Sequence, residues 1–122
     1  MKHRILVADD EPSVREHLQK ALTQAGHLVD LCEDGEDTAQ ALISHSYTLV
    51  ILDVLMPHRT GVEVAKTVRA SGDDVPIILM TGALHEQIRK SCDDLKRVGW
   101  IAKPISPAHV ETAINKATNE PN

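Results

Sequence analysis

The chain has 122 residues, which is enough for one domain with a single buried core. Apolar residues make up 42% of it and charged residues 25%, but aromatic residues only 2%, with no phenylalanine, so the core is expected to be aliphatic. The formal net charge of -5 argues against nonspecific nucleic-acid binding, which needs a basic face. We therefore expect no direct nucleic-acid binding by this domain.

The sequence predicts a cytoplasmic domain without a membrane segment. The only early apolar run, residues 5–8, is far too short for a signal peptide or a membrane span. Cys32 and Cys92 are far apart and lack metal-like spacing, which indicates two reduced thiols. We expect one domain over residues 1–119 and a frayed tail over residues 120–122.

The first part of the chain predicts a strand, a helix and a second strand. Residues 5–8 form a continuous apolar run, which is typical of a strand buried on both faces. The following helix is expected to start near Pro12 and to be capped by Gly26. Residues 28–32 then alternate as a half-buried strand does.

The middle of the chain continues the alternation. Asp34-Gly35 marks a turn before the second helix. Residues 49–52 are the most apolar run of the chain and predict the third strand. Residues 56–61 indicate a loop, after which the helical period resumes.

The last part predicts a strand over residues 76–80, a fourth helix, a short strand over residues 100–102 and a final helix that starts at Ser106-Pro107. The apolar stripe of the fourth helix comprises Leu84, Ile88, Cys92 and Leu95. Five strictly alternating β-α units imply a parallel sheet with helices on both faces.

Polar side chains follow every predicted strand, but those after the second, Glu33 and Asp34, lead into an ordinary turn. Asp9 and Asp10 follow the first strand, Asp53 the third, Thr81 the fourth and Lys103 the fifth. Open α/β sheets bind ligands at the carboxyl ends of their strands. We therefore expect these side chains to meet in one crevice.

Converging carboxylates repel one another unless a cation compensates, and hard oxygen ligands favour Mg²⁺ or Mn²⁺. An aspartate carboxylate can act as a nucleophile towards phosphorus, and Asp53 is the natural candidate because it is a lone acid after a very apolar strand. Lys103 and Thr81 would stabilise the charge of a phosphoryl group.

Each residue also has a simpler interpretation when taken alone. The acidic run Asp9-Asp10-Glu11 could merely cap a helix. Asp53 could be a turn residue, Thr81 a β-branched strand end, and Lys103 a solvated lysine before a turn. Their joint placement after successive strands favours a shared site.

With these residues, the chain resembles a bacterial response-regulator receiver domain of the chemotaxis-Y type. The matching segments are residues 5–12, 50–57, Gly61, 80–82 and 100–104. The resemblance implies a flavodoxin-like three-layer α/β/α sandwich with a five-stranded parallel sheet of order 2-1-3-4-5. It also implies a phosphorelay switch that takes a phosphoryl group from a sensor histidine kinase or a phosphotransfer protein.

The resemblance assigns roles to particular positions. Asp53 matches the phosphoacceptor, and Asp9 and Asp10 match the acidic pair that holds Mg²⁺ together with Asp53. Leu55 matches the position whose backbone carbonyl completes the metal coordination. Thr81 and Lys103 match the family's hydroxyl and lysine, and Pro104 matches the proline after its cis peptide bond.

Two features of the sequence leave alternatives open, and a third makes a prediction. Trp100 is either a packed strand residue or a side chain that turns inward on phosphorylation. Lys96 and Arg97 are either a solvated helix end or part of a face that selects partners. Leu55 and Ala83 are apolar neighbours of the site that cannot hydrogen-bond an attacking water, which predicts slow loss of the phosphoryl group.

Other function classes fit the sequence less well. An aspartyl phosphatase of the haloacid-dehalogenase type needs an acid at the position of Leu55, so we expect no enzyme beyond self-catalysed phosphorylation and dephosphorylation. A binding module independent of phosphorylation would have lost one of the acids or the lysine. By resemblance, the face of the fourth helix, fifth strand and fifth helix would act on a downstream protein or a fused output domain, with homodimerisation as one option.

Overall fold

The computed structural model describes residues 3–82 and 86–119. Strands and helices alternate strictly along it: β1 (Arg4–Ala8), α1 (Pro12–Gln24), β2 (Leu28–Cys32), α2 (Gly35–Ser44), β3 (Leu49–Asp53), α3 (Gly61–Ala70), β4 (Ile77–Thr81), α4 (Glu86–Lys90), β5 (Val98–Ala102) and α5 (Pro107–Asn119). The expected tail over residues 120–122 lies outside the described residues.

The five strands form one parallel sheet in the order β2-β1-β3-β4-β5, which confirms the predicted topology. The chain moves outward from β1 to β2 and then returns to the other side of β1 with β3. A ligand crevice opens at such a reversal in α/β sheets. The register pairs Ala8 with Leu52 across this point, so the residues after β1 and β3 emerge side by side.

Two apolar layers cover the sheet. One face packs against α1 and α5, and its helical contribution comes from Leu18, Leu22, Val110 and Ile114. The other face packs against α2 and α3. The central strands β3 and β4 are buried along their whole length. Because strands buried on both faces are mostly apolar, the runs that precede Asp53 and Thr81 were readable from the sequence.

The helix predicted over the stripe from Leu84 to Leu95 is wrong in its extent, since α4 ends at Lys90. After Lys90, the amides of Cys92 and Asp93 donate to carbonyls only three residues earlier in the chain. The Ser91 hydroxyl donates to the Ile88 carbonyl at 2.6 Å. Such local bonds compete with a regular helix. Cys92 is nevertheless buried, in a turn, while Leu84 lies outside the described residues.

The helix-end interpretation of Lys96 and Arg97 is therefore also wrong. Arg97 has a φ of 55°, and its carbonyl accepts the Ile77 amide at 3.0 Å. The Arg69 side chain donates to the backbone carbonyls of both residues, from Nε to Lys96 at 2.7 Å and from Nη2 to Arg97 at 3.2 Å. The segment is a structured entry to β5.

Arg69 joins three parts of the chain at the amino-terminal edge of the sheet. Besides the carbonyls of residues 96 and 97, its guanidinium donates to those of Asp73 at 3.0 Å and Val75 at 2.7 Å. A planar fork of donors can satisfy several carbonyls that a single ammonium cannot. Arg69 thus links the end of α3 to the starts of β4 and β5.

Other described residues agree with simple expectations. Cys32 and Cys92 are free thiols. Gly26 has a φ of 94° just after α1, where a left-handed residue closes the helix. Across residues 3–82 and 86–119, no helix is both long and apolar enough to cross a membrane.

We expect Arg69→Lys to lower the free energy of unfolding by about 2 kcal/mol, because four carbonyls, two of them in part-buried hydrogen bonds, lose guanidinium donors. Urea unfolding followed by circular dichroism measures this. The reciprocal control is Lys66→Arg on the exposed face of the same helix, which should change stability by less than about 0.5 kcal/mol. Equal stability of the two variants would contradict the linking role.

Candidate functional site

Asp53 is the last residue of β3 and only 6% exposed. Its Oδ1 accepts the Leu55 amide at 3.3 Å. Its own carbonyl oxygen lies so close to Gly61 that a Cβ there would collide with it. The Gly61 amide donates to the Val54 carbonyl at 2.9 Å, which folds the loop after β3 back on itself.

Asp9 is fully buried at the end of β1. Its amide donates to the Cys32 carbonyl at 3.2 Å, and its Oδ1 accepts the Glu11 amide at 2.9 Å. Glu11 is the N-cap residue of α1 but makes no side-chain cap bond. Glu11 thus occupies the N-cap position without a capping hydrogen bond from its side chain, while the Asp9 carboxylate faces the crevice.

Lys103 follows β5 and places its ammonium between the two buried acids. Its Nζ lies 2.7 Å from Asp9 Oδ2 and 3.2 Å from Asp53 Oδ2, with Glu11 Oε1 farther away at 3.8 Å. The peptide bond between Lys103 and Pro104 is cis, and the Lys103 amide donates to the Thr81 carbonyl at 2.9 Å. These contacts bring the ends of β1, β3, β4 and β5 together.

Two buried carboxylates share one ammonium in this cluster. Burial raises the pKa of Asp53 above its usual range, and the charge of Asp9 raises it further, against the smaller lowering by Lys103 and the Leu55 amide. Burial alone would lower the pKa of Lys103, but the hydrogen bond to Asp9 and the charges of both acids outweigh it and raise the pKa. The lysine stays protonated, whereas ionising Asp53 costs free energy.

The acids fit a hard divalent cation. Asp9, Asp10 and Asp53 each offer a carboxylate oxygen, and these oxygens lie within 4.8 Å of one another. Octahedral Mg²⁺ binds oxygens at about 2.1 Å, so small side-chain movements would bring all three into contact with one ion. Asp10 is exposed and Asp9 and Asp53 are buried, which leaves the site open on one side.

The remaining predicted residues lie around the crevice. Thr81 is the last residue of β4 and only 7% exposed. Leu55 follows Asp53 by two residues and is 71% exposed. Ala83, the other apolar neighbour in the sequence-based prediction, lies outside the described residues.

The start of α3, just after the loop that follows Asp53, carries a helix-capping pattern that is visible in the sequence but was not predicted from it. Thr60 N-caps α3 by accepting the Glu63 amide at 3.1 Å, while Glu63 accepts the Thr60 amide at 3.2 Å. This Thr-x-x-Glu pattern is a capping box. Arg15 gave no such local signal, yet its Nη1 holds the Asp9 carbonyl at 2.7 Å.

Comparison with known proteins identifies the family. The family model of the response regulator receiver domain matches residues 5–115. The chain belongs to this family. Among curated proteins, response regulator MprA of Mycolicibacterium vanbaalenii is 42% identical over 106 residues, which are 87% of this chain and 46% of that protein. The transcriptional regulatory protein DltR of Streptococcus agalactiae is 34% identical over 96% of this chain and 52% of its own length.

Solved structures agree with the receiver-domain fold. Response regulator TrrA of Thermotoga maritima, determined in complex with Mg(2+)-BeF, is 36% identical, with a TM-score of 0.84 over 96% of this chain and 99% of that chain. Chemotaxis response regulator CheY4 of Vibrio cholerae is 25% identical, with a TM-score of 0.88 over the same shares. The receiver domain described here spans about half the length of the curated relatives above.

We expect Asp53→Asn to raise the unfolding temperature by a few degrees in a chelating buffer at neutral pH. The variant removes a buried charge whose ionisation is unfavourable, and it leaves Lys103 paired with Asp9. A carboxyl with a raised folded-state pKa destabilises the fold above that pKa and not below the usual aspartate range. The advantage should therefore vanish as the pH falls through this window.

Thermal unfolding across pH measures the effect. The control is Asp94→Asn, because Asp94 is an exposed acid outside the cluster, and it should leave the unfolding temperature nearly unchanged. A lower unfolding temperature for Asp53→Asn at neutral pH would show instead that the pairing with Lys103 dominates.

Proposed function

We propose that this receiver domain is a phosphorelay switch that accepts a phosphoryl group on Asp53 in a Mg²⁺-dependent reaction. The observation that carries the proposal is the Lys103 ammonium between the buried carboxylates of Asp9 and Asp53 in a chain of the receiver family. Asp9, Asp10, Asp53 and the backbone carbonyl of Leu55 would hold the ion, with Mn²⁺ as a substitute. The bound ion would neutralise charge on the incoming phosphoryl oxygens.

The residues of the chain have distinct parts in this step. A carboxylate oxygen of Asp53 attacks phosphorus, an oxygen–phosphorus bond forms, and the phosphorus–nitrogen bond of a donor phosphohistidine breaks. The electron pair of that bond stays on the imidazole nitrogen, which takes a proton. Lys103 balances charge on one phosphoryl oxygen, and the Thr81 hydroxyl donates a hydrogen bond to another.

The phosphodonor in this proposal is a sensor histidine kinase or a phosphotransfer protein. A groove of about 510 Å³ lies directly beside Lys103, between the start of α1 and the residues after β5. It is lined by Val14, His17, Pro104 and Ile105, among others. Lys103 lines this groove and lies 3.2 Å from Asp53 Oδ2, so a donor seated there would be next to the phosphoacceptor.

The output would be read on the face formed by α4, β5 and α5. Trp100 lies half-buried in β5, and the Arg89 guanidinium stands 5.8 Å from its ring centroid. In the switching alternative, the ring would have to leave this cation–π contact. The partner is a downstream protein or a fused output domain, with a homodimer as one option. The location would be cytoplasmic, as the sequence predicts.

Two other function classes make different demands on the site. A phosphatase acting on external esters needs a general acid, and the position it would occupy holds the apolar side chain of Leu55. A binding module that ignores phosphate has no need for buried acids grouped around a lysine. The proposal therefore limits the chemistry to self-catalysed phosphorylation and dephosphorylation.

Acetyl phosphate, a small phosphodonor, tests the central step without a kinase. We expect the wild-type chain to gain one phosphoryl group by mass spectrometry when Mg²⁺ is present and none in chelator. Asp53→Asn should gain none, while the exposed-site control Asp94→Asn should react like the wild type. Incorporation into Asp53→Asn, or none into the wild type, would contradict the proposal.

The phosphorylated chain should lose its phosphoryl group slowly once the donor is removed, because Leu55 cannot orient a water. Leu55→Asn offers that hydrogen bond and should speed the decay about tenfold, as expected for one bond worth about 1.4 kcal/mol. Ile43→Asn is the matched control on α2, where Ile43 is 79% exposed. Wild-type decay as quick as in fast chemotaxis-type receivers would contradict this prediction.

A further inference from the structure

The loop that follows Asp53 is pressed against the first residue of α2. Gly35 opens that helix, with Asp34 as its N-cap, and its amide donates to the Pro57 carbonyl at 3.2 Å. A Cβ on Gly35 would collide with the carbonyl oxygen and Cβ of Arg59 and would lie 2.8 Å from its carbonyl carbon. Because backbone atoms cannot rotate away, only glycine fits this contact.

The rest of this loop is already fixed at both ends. The Val54 amide donates to the Met80 carbonyl at 2.9 Å, and the Val54 carbonyl accepts the Gly61 amide at 2.9 Å. The middle of the loop holds a left-handed residue, His58, with a φ of 69°. Contact with Gly35 therefore determines where the middle of the loop lies.

Side-chain pairs add little to this contact. Arg59 Nε lies 3.5 Å from Glu36 Oε2, but both side chains are more than one-third exposed. His58 Nε2 is 4.0 Å from Asp34 Oδ2, and the histidine is 69% exposed. Exposed pairs of this kind contribute little to stability. The close backbone approach at Gly35 is the stronger constraint.

We propose that Gly35 is a positioning residue for the divalent-cation site, acting through the loop rather than by contact with the ion. The inference rests on the proposed function, in which the backbone carbonyl of Leu55 is a metal ligand. Leu55 lies between Val54, which is anchored to β4, and Pro57, which is anchored to Gly35. A side chain at position 35 would push Pro57 and Arg59 outward and turn the peptide that carries the Leu55 carbonyl.

Gly35→Ala in the full chain tests this directly. We expect Mg²⁺ affinity, measured by calorimetric titration, to fall about tenfold, as is typical when support behind a metal ligand is lost. Phosphorylation by acetyl phosphate should then need more Mg²⁺ for its half-maximal rate and should recover at saturating Mg²⁺. The matched control is Gly99→Ala, because a Cβ at Gly99 meets no atom within 4 Å, and it should bind Mg²⁺ like the wild type.

A second control separates positioning from damage to α2. Thr38 is fully buried in that helix and donates its hydroxyl to the Asp34 carbonyl at 2.7 Å. Thr38→Val should lower the unfolding temperature in chelator while leaving Mg²⁺ affinity unchanged. Arg59→Gly loosens the same contact from the loop side, and added backbone freedom of about 0.5–1 kcal/mol should weaken Mg²⁺ binding about two- to fivefold. This variant keeps the inference testable should Gly35→Ala fail to fold.

These experiments separate failure of the positioning role of Gly35 from failure of the proposed function. Wild-type Mg²⁺ affinity in Gly35→Ala, or in Arg59→Gly if the first variant does not fold, would overturn the positioning role. So would a loss of affinity in Thr38→Val as large as in Gly35→Ala. If instead the wild-type chain neither binds Mg²⁺ nor accepts a phosphoryl group, the proposed function itself fails.

Discussion

The structure depends on the single ammonium that stands between two buried carboxylates at the end of the sheet. Asp9 and Asp53 would repel each other without Lys103, and removal of the lysine would leave two neighbouring buried carboxylates without their shared ammonium. Their approach requires β1 and β3 to be neighbours and β5 to deliver its lysine across β4. The strand order and the cis bond before Pro104 meet these requirements.

Much of this arrangement could be predicted from sequence, because each part has a local cause. Central strands buried on both faces are mostly apolar, so β3 and β4 were evident as apolar runs up to Asp53 and Thr81. The site residues follow strand ends, and parallel strands share one carboxyl edge. Asp53 and Lys103 could therefore be placed in one crevice, although their 3.2 Å separation could not be read from the chain.

The features that the sequence did not predict depend either on a competition between local hydrogen bonds or on contacts with residues far away along the chain. The end of α4 is decided by a competition between ordinary helix bonds and the bonds made around Ser91, which an apolar stripe does not reveal. Arg69 binds carbonyls 27 and 28 residues away. The residues next to Gly35 in the sequence do not indicate that Arg59 will lie against it. Such contacts exist only after the sheet has formed.

The two ends of the sheet differ in how they hold charge. At the amino-terminal edge, the Arg69 guanidinium donates hydrogen bonds to neutral backbone carbonyls and so fixes the starts of β4 and β5. At the carboxyl edge, the Lys103 ammonium lies between the carboxylates of Asp9 and Asp53. Under the proposed function, it would pair with an oxygen of the phosphoryl group instead. The same strand, β5, carries Trp100 three residues before Lys103, and the Lys103 amide is bound to the carbonyl of Thr81. A change in the partner of this ammonium would therefore act first on β4 and β5, while the opposite edge stays anchored.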